Sequence, residues 1–381
     1  MSVEIIEIGK FVALAAGTPI LDVRSPGEFL HAHIPGALSF PLFDDEQRKV
    51  IGTTYKEKSR QEAVMAGLNY FSGRMEPMIR EVLELLKGWH RQTGHEIGSL
   101  PPGPVLVHCW RGGMRSGAIA WLLDLYGFRV YQLKGGYKAY RNWALAQFEK
   151  PYHLRVLGGF TGSGKTRLLK ELKNKGERTL DLEALAHHKG SAFGWLGEAP
   201  QPGQEMFENH VALELFRLSG SQSTQAQEDG TCSEAMAPVI WVEDESRHIG
   251  SVGVPGKFWD QMRQSPLYFL DIPFESRLDY IVSNYGIFPT DGLVESILKI
   301  EKRLGGRETR EAIASLKSGR IRDCFDILLR YYDKLYFKSL NKRENLPKLL
   351  NKVPCQTVDE NNITQLMARK SLPPISLNDV P

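Results

Sequence analysis

The 381-residue sequence predicts an α/β protein: two successive parallel-sheet domains, the second with a helical C-terminal part. Short apolar runs rich in β-branched residues alternate with helical repeats from Pro19 onward. Two of these runs empty into glycine-rich loops that open helices, at Val105–Ser116 and at Leu154–Thr166. Beyond residue 300 the apolar residues recur at helical spacing.

Bulk properties narrow the class. The chain is long enough for two or three cores, and its composition (42% hydrophobic, 24% charged) is that of a globular protein. A net charge of +3 confines any nucleic-acid surface to local basic patches. The four cysteines (Cys109, Cys232, Cys324, Cys355) are too dispersed for a disulfide framework or a zinc site, which fits a reducing compartment. Met1–Phe11 carries Glu4, Glu7 and Lys10, so it is no signal peptide, and no apolar run spans a bilayer. A cytoplasmic monomer with no membrane partner is expected.

The first domain is placed at residues 1–150. Pro19–Val23 reads as a buried strand, and Ser25-Pro26 with Glu28 opens a short helix with an N-cap and a first-turn acid. The turn Ile34-Pro35-Gly36 returns the chain to a strand at Ala37–Phe40. Residues 44–98 are charged and helical in pattern, most clearly Met75–Trp89. Strand Val105–His108, the loop from Cys109 to Arg115, a helix ending at Gly127 and strand Phe128–Leu133 follow. Leu133-Lys-Gly-Gly-Tyr reads as the closing turn before the last helix.

Cys109 begins a loop whose successive N–H groups aim at one point, an arrangement that cradles a phosphate-sized anion. Those dipoles, with Arg111 and Arg115, favour thiolate and make Cys109 a nucleophile candidate rather than a buried structural cysteine. Trp110 beside it is a candidate for stacking on a nucleobase.

The second domain is placed at 151–300. Strand Leu154–Leu157 leads into Gly159-Phe160-Thr161-Gly162-Ser163-Gly164-Lys165-Thr166, which satisfies G-x-x-x-x-G-K-[ST] between a strand and a helix. Its backbone N–H groups bind a di- or triphosphate, Lys165 adds a point charge, and Thr166 can hold Mg²⁺. Strand Thr179–Leu182 ends near Asp181 and Glu183, and strand Val239–Val242 runs into Glu243-Asp244-Glu245. Glu243 or Asp244 is the candidate metal-side carboxylate, with Asp181 left open. Leu267–Ile272 is a further strand. His187 and His188 read as loop histidines, and Phe193, Trp195, Met206 and Phe207 fit core packing or an apolar pocket. Ser219–Gly230 reads as a mobile loop. Residues 301–370 read as a helical extension of this domain, with Arg322, Arg330, Lys334 and Lys338 as a solvated basic flank. Residues 371–381 are expected to be disordered.

His108-Cys109-x₅-Arg115-Ser116 resembles the loops of both rhodaneses and cysteine-dependent phosphatases. Leu21-Asp-Val-Arg-Ser-x-x-Glu-Phe and His33-Ile-Pro-Gly-Ala resemble rhodanese or its dual-specificity phosphatase relative. A rhodanese-like parallel-sheet domain followed by a P-loop NTPase-like α/β domain, together with Leu185–Gly194 and Val242-Glu-Asp-Glu-Ser-Arg-His-Ile-Gly, resembles the bacterial tRNA 2-selenouridine synthases over residues 5–350. That resemblance implies conversion of 2-thiouridine to 2-selenouridine at the wobble position of tRNAs for Lys, Glu and Gln. It implies S-geranylation by geranyl diphosphate, then selenation by selenophosphate through a Cys109 perselenide, with Arg111 and Arg115 neutralising the departing oxyanion. The phosphate loop (Gly159, Thr161, Gly162, Ser163, Gly164, Lys165, Thr166) would hold the diphosphate. Two rival readings share these residues: a cysteine phosphatase fused to a nucleotide-binding kinase-like domain, and a sulfur-carrier sulfurtransferase that does not act on RNA.

Overall fold

The computed structural model describes residues 3–94, 103–220 and 238–370. The chain forms two compact units, Met1–Gln147 and Phe148–Pro381, dividing three residues before the boundary expected at 150.

The first unit contains β1 (Glu4–Ile6), β2 (Ile20–Asp22), β3 (Ala37–Ser39), β4 (Val105–His108) and β5 (Val130–Leu133). They form one parallel sheet in the order β1-β5-β4-β2-β3, with β4 at its centre. The register sets Asp22 opposite His108. Leu21, Val107, Phe40, Met78, Val82, Ile119 and Leu123 share one buried core, so the helix Met75–Thr93 and the helix Met114–Tyr126 pack on this sheet. The helix Pro26–His31 starts as expected: the Ser25 N–H donates to Glu28 Oε2 at 3.0 Å. β1 had no counterpart in the sequence pattern, because a three-residue strand is too short to show a period.

The second unit contains β6 (His153–Gly159), β7 (Arg178–Leu180), β8 (Val239–Glu243), a small antiparallel pair β9 (His248–Ile249) and β10 (Val252–Gly253), β11 (Leu267–Asp271) and β12 (Leu350–Pro354). Its five-stranded sheet is parallel throughout, in the order β12-β11-β6-β8-β7, and β6 is central. One core lies between this sheet and the helices Lys165–Asn174 and Asn362–Lys370, with Leu168, Leu172 and Leu366 buried. A second, all-helical core gathers Leu278, Ile297, Phe325 and Leu328.

β12 corrects the wholly helical reading of 301–370. Only Asn351 and Val353 of this strand are buried, and Pro354 ends it, so it lacks an apolar signature. As an edge strand pairing only with β11 it tolerates that composition. Phe193 and Phe207 are core residues, and the Trp195 indole N–H donates to Ser296 Oγ at 3.1 Å. Arg322 pairs with Glu275 and Asp279, and Arg330 with Asp326, so these arginines of the basic flank are engaged within the chain. The mobile loop expected at 219–230 (from 221 onward) and the tail expected at 371–381 lie outside the described residues. Among the described residues no helix is long and apolar enough to cross a membrane.

Candidate active sites

Each unit presents one loop at the carboxyl end of its central strand, where the open end of a parallel sheet accepts ligands. In the first unit, Val105, Leu106 and Val107 anchor β4 in the core, and the chain emerges at Cys109.

The turn after β5 supports the loop from behind. The Tyr137 N–H donates to the Cys109 carbonyl at 2.8 Å, and the Lys138 N–H to the Trp110 carbonyl at 3.0 Å. Gln132 Nε2 donates to the Gly112 carbonyl (2.9 Å) and to Ser116 Oγ (3.0 Å). Gly136 sits at φ +59°, and a Cβ there would lie 2.3 Å from the Cys109 carbonyl oxygen. Glycine is the one residue that fits both the left-handed backbone and this approach. Leu133-Lys-Gly-Gly-Tyr is therefore part of the site's frame.

Cys109 is 3% exposed, with Sγ 3.2 Å from Ser116 Oγ. Burial pushes the thiol up. The Ser116 hydroxyl and N–H, the Arg115 charge and the Arg111 N–H outweigh burial and hold Cys109 below the usual thiol range. Burial drives Cys324 to about 12, and burial with the Asp359 and Asp271 charges drives Cys355 to about 11. Cys109 is thus electrostatically set apart as a nucleophile.

Of the two arginines, Arg111 is exposed at the loop mouth. Arg115 donates to both oxygens of Glu28, at 2.6 and 3.3 Å. Burial raises the Glu28 carboxyl, but Arg115 outweighs it and keeps Glu28 ionised. Glu28 thereby both caps its helix and orients Arg115, a link between residues 87 apart that only the fold reveals. Below the loop, Arg24 is paired with Asp22 (2.6 Å), both essentially fully buried, and lies 3.9 Å over the Tyr137 ring. His108 Nε2 is 3.7 Å from Asp22, and burial holds this histidine below its usual range. The Asp-Val-Arg motif is a buried support. Trp110 is 39% exposed at the loop edge, 5.7 Å from Tyr137.

In the second unit the helix Lys165–Asn174 opens directly behind the phosphate loop, leaving its first N–H groups for an anion. Gly164, at φ +71°, would place a Cβ 2.6 Å from Val358. Lys165 Nζ donates to the Gly159 carbonyl at 3.1 Å. Buried Arg277 donates to the Thr161 carbonyl (3.0 Å) and is clamped by Asp333. The Gly159 N–H donates to the Tyr336 oxygen at 3.3 Å. Ser163 is buried in the loop with its hydroxyl unpartnered among the described residues.

Beside this loop, carboxylate oxygens of Glu183, Glu243 and Glu245 lie within 4.8 Å of one another, and Thr166 Oγ1 donates to Glu183 Oε2 at 2.9 Å. Glu243 is fully buried, and both its oxygens lack a partner among the described residues. Burial holds all three acids above the carboxylate range; the Glu183 charge adds to it at Glu243 and Glu245, which lie well above, and the Asp181 charge adds to it at Glu183. Such a set of hard oxygen donors next to a phosphate loop, offset only in part by the Lys165 charge, fits a divalent cation such as Mg²⁺. The structure does not bring Asp244 or Asp181 into this group. Asp244 accepts from the Tyr336 hydroxyl and from Arg343, each at 2.7 Å, and Asp181 caps the helix Leu182–Ala186 by accepting from the Ala184 N–H at 2.8 Å. Glu183 and Glu245 complete the set in place of Asp244. His187 Nδ1 lies 3.0 Å from the Pro200 carbonyl, and no histidine joins a metal-like cluster among the described residues.

Comparison with known proteins covers both units. The family described as tRNA 2-selenouridine synthase AAA domain matches residues 152–360, and the family described as rhodanese-like domain matches 9–142. A tRNA 2-selenouridine synthase from Nitrosomonas europaea is 34% identical, over 87% of this chain and 91% of its own length. The protein of that name from Nitrosomonas eutropha is 32% identical over the same shares, and one from Sulfurovum is 32% identical over 84% of this chain and 88% of its own.

Proposed function

The chain belongs to the tRNA 2-selenouridine synthase family, and on that premise we propose that it converts 2-thiouridine at the tRNA wobble position to 2-selenouridine in two steps. One observation carries this reading: a single chain holds two anion cradles of different chemistry, one centred on an activated thiol and one on a lysine beside three acids.

In the first step the phosphate loop takes the diphosphate of geranyl diphosphate. Backbone N–H groups and Lys165 stabilise the leaving diphosphate while the 2-thio sulfur takes the allylic carbon. Thr166, Glu183, Glu243 and Glu245 are the residues that would hold Mg²⁺, which when bound adds charge neutralisation at the diphosphate.

In the second step the Cys109 loop takes selenophosphate, with Arg115 and Arg111 at its mouth. Sγ attacks selenium, the S–Se bond forms and the Se–P bond breaks with its electron pair left on phosphorus, which departs as phosphite. The Cys109 perselenide then displaces geranylthiolate from C2 of the uridine. An external thiol cleaves the S–Se bond, releasing 2-selenouridine and leaving Cys109 in a mixed disulfide that a second thiol reduces.

A second balanced course is favoured by Ser116 Oγ at 3.2 Å from Sγ, where it can stabilise a departing thiolate. Selenium of bound selenophosphate attacks C2 and expels geranylthiolate, and Sγ then takes the phosphoryl group from selenium. Water releases phosphate from Cys109. Mass spectrometry of the trapped protein separates the two courses: a Cys109 adduct with the selenium isotope pattern is expected for the first, and a phosphoryl adduct for the second.

We place the reaction in the cytoplasm, on tRNAs for Lys, Glu and Gln, with the enzyme a monomer. Nucleoside mass spectrometry of 2-thiouridine tRNA treated with the protein, geranyl diphosphate and selenophosphate tests the proposal. Robust Cys109-dependent hydrolysis of an aryl phosphate without formation of 2-selenouridine would sink it.

A further inference from the structure

The first unit contains a cavity of about 920 Å³, and one of its walls is the Cys109 loop itself, through Trp110, Arg111, Met114 and Arg115. Its opposite wall is a helical hairpin, Asp45–Glu57 followed by Arg60–Ser72. That hairpin is poorly filled on its inner side. The first helix has no fully buried residue, and the second buries only Ala63 and Phe71. Ile51, Val64 and Leu68 face the space with Phe43, and Leu68, Met114 and Trp110 stay 49, 56 and 39% exposed. Apolar surface left uncovered in a recess walled by the loop of a nucleophile candidate points to a ligand site.

The rim has the opposite character. Arg48, Lys56, Arg111 and Arg115 border the same cavity, with Glu28 and Asp45 as the acids among its lining. An occupant must therefore combine a hydrocarbon body with anionic groups at its outer end. The volume lies in the upper part of the roughly 300–1,000 Å³ range that encloses drug-sized ligands, enough for a branched ten-carbon chain together with the base that bears it.

Resting on the two-step reading above, we infer that this cavity binds the S-geranyl group of the modified uridine, seating the intermediate with C2 toward Cys109. The cationic rim takes the phosphates flanking the nucleotide, and the apolar interior takes the chain. Prenylation then does more than make sulfur a leaving group. It supplies the binding energy that brings the substrate of the second step, in preference to unmodified 2-thiouridine, to the nucleophile.

The test uses the full chain and anticodon stem-loop RNAs carrying either S-geranyl- or S-methyl-2-thiouridine at the wobble position. Val64→Trp fills the cavity, and Leu68→Asp charges its wall at a half-exposed position that the core does not need. The native chain should bind the S-geranyl RNA at least ~10-fold tighter than the S-methyl RNA, and each variant should cut that preference below about 3-fold. Iodoacetamide alkylation of Cys109 at the native rate checks that the loop is intact in both. Equal affinity of the native chain for the two RNAs, or a preference that survives both substitutions, overturns the pocket. A dimer that Leu68→Asp dissolves assigns the recess to a second copy and overturns it too. A native chain that makes 2-selenouridine yet never converts the S-geranyl RNA overturns the two-step reading instead, so the two failures are told apart.

Discussion

The Ser116 hydroxyl stands 3.2 Å from the Cys109 Sγ, in the first turn of the helix that closes the loop. It accepts a hydrogen bond from Gln132 Nε2 at 3.0 Å, which leaves its own proton for the sulfur or for the Gly113 carbonyl. Because this contact stabilises the thiolate, Ser116→Ala should raise the Cys109 pKa. The alkylation rate of the native protein should reach half-maximum below the pH of an ordinary thiol. The variant's curve should shift to higher pH, with its plateau at high pH little changed. Stopped-flow iodoacetamide labelling across pH, with Cys109→Ala as blank, measures both curves.

Substitution should separate the two steps. Cys109→Ala is expected to abolish 2-selenouridine while S-geranyl-2-thiouridine accumulates. Lys165→Ala should slow S-geranylation by about 10²–10³-fold, the usual loss for one preorganised charge stabiliser. Quantifying both nucleosides in digested tRNA decides it, and equal loss of both products in a folded Cys109→Ala protein would count against separate sites.

Gly136 is a backbone requirement of the loop, not a flexible spacer. Gly136→Ala meets both a positive φ and the Cys109 carbonyl, a cost of at least about 1–3 kcal/mol. Its Tm should fall by several degrees, and the enhanced alkylation of Cys109 should be lost. Gly88→Ala, at a helical position with nothing within 4 Å of the new Cβ, should be neutral or stabilising by up to about 1 kcal/mol. Differential scanning fluorimetry of the pair makes the comparison.

The three-glutamate group should respond to Mg²⁺. A ligand at 100 times its Kd stabilises by about 2.7 kcal/mol, so Mg²⁺ should raise the Tm of the native protein and EDTA should reverse the gain. Glu243→Gln should abolish most of that response without lowering the metal-free Tm, because burial already disfavours the charged carboxylate there and neither of its oxygens has a partner among the described residues. Loss of metal-free stability with the Mg²⁺ response intact would assign Glu243 a structural role.

Much of the site frame was legible because local patterns carry it. Val105–His108 is a strand because three apolar positions, two of them β-branched, run together before His108, and Lys165 opens its helix because the phosphate-loop spacing admits little else. The Ser25 and Glu28 cap shows in the sequence for the same reason, since both partners lie within one turn. Glu28 as the partner of Arg115, Gln132 as the support of Ser116 and Tyr336 as the bridge between Gly159 and Asp244 carry no local signal. Each joins elements far apart in the chain. Asp244 misled for a related reason: at the end of β8 its identity matches a metal-side acid, and only packing shows that Tyr336 and Arg343 already occupy it.

By itself the sequence determined the α/β class, the order of the two domains and the two loops that bear Cys109 and Lys165, since strand, turn and helix signals act over a few residues. The tertiary structure decided which acids gather beside the phosphate loop, what lowers the Cys109 pKa and that a largely apolar cavity adjoins the loop that bears Cys109. Those properties depend on burial and on distances between residues remote in sequence, and neither exists before the sheets close and the helices pack upon them.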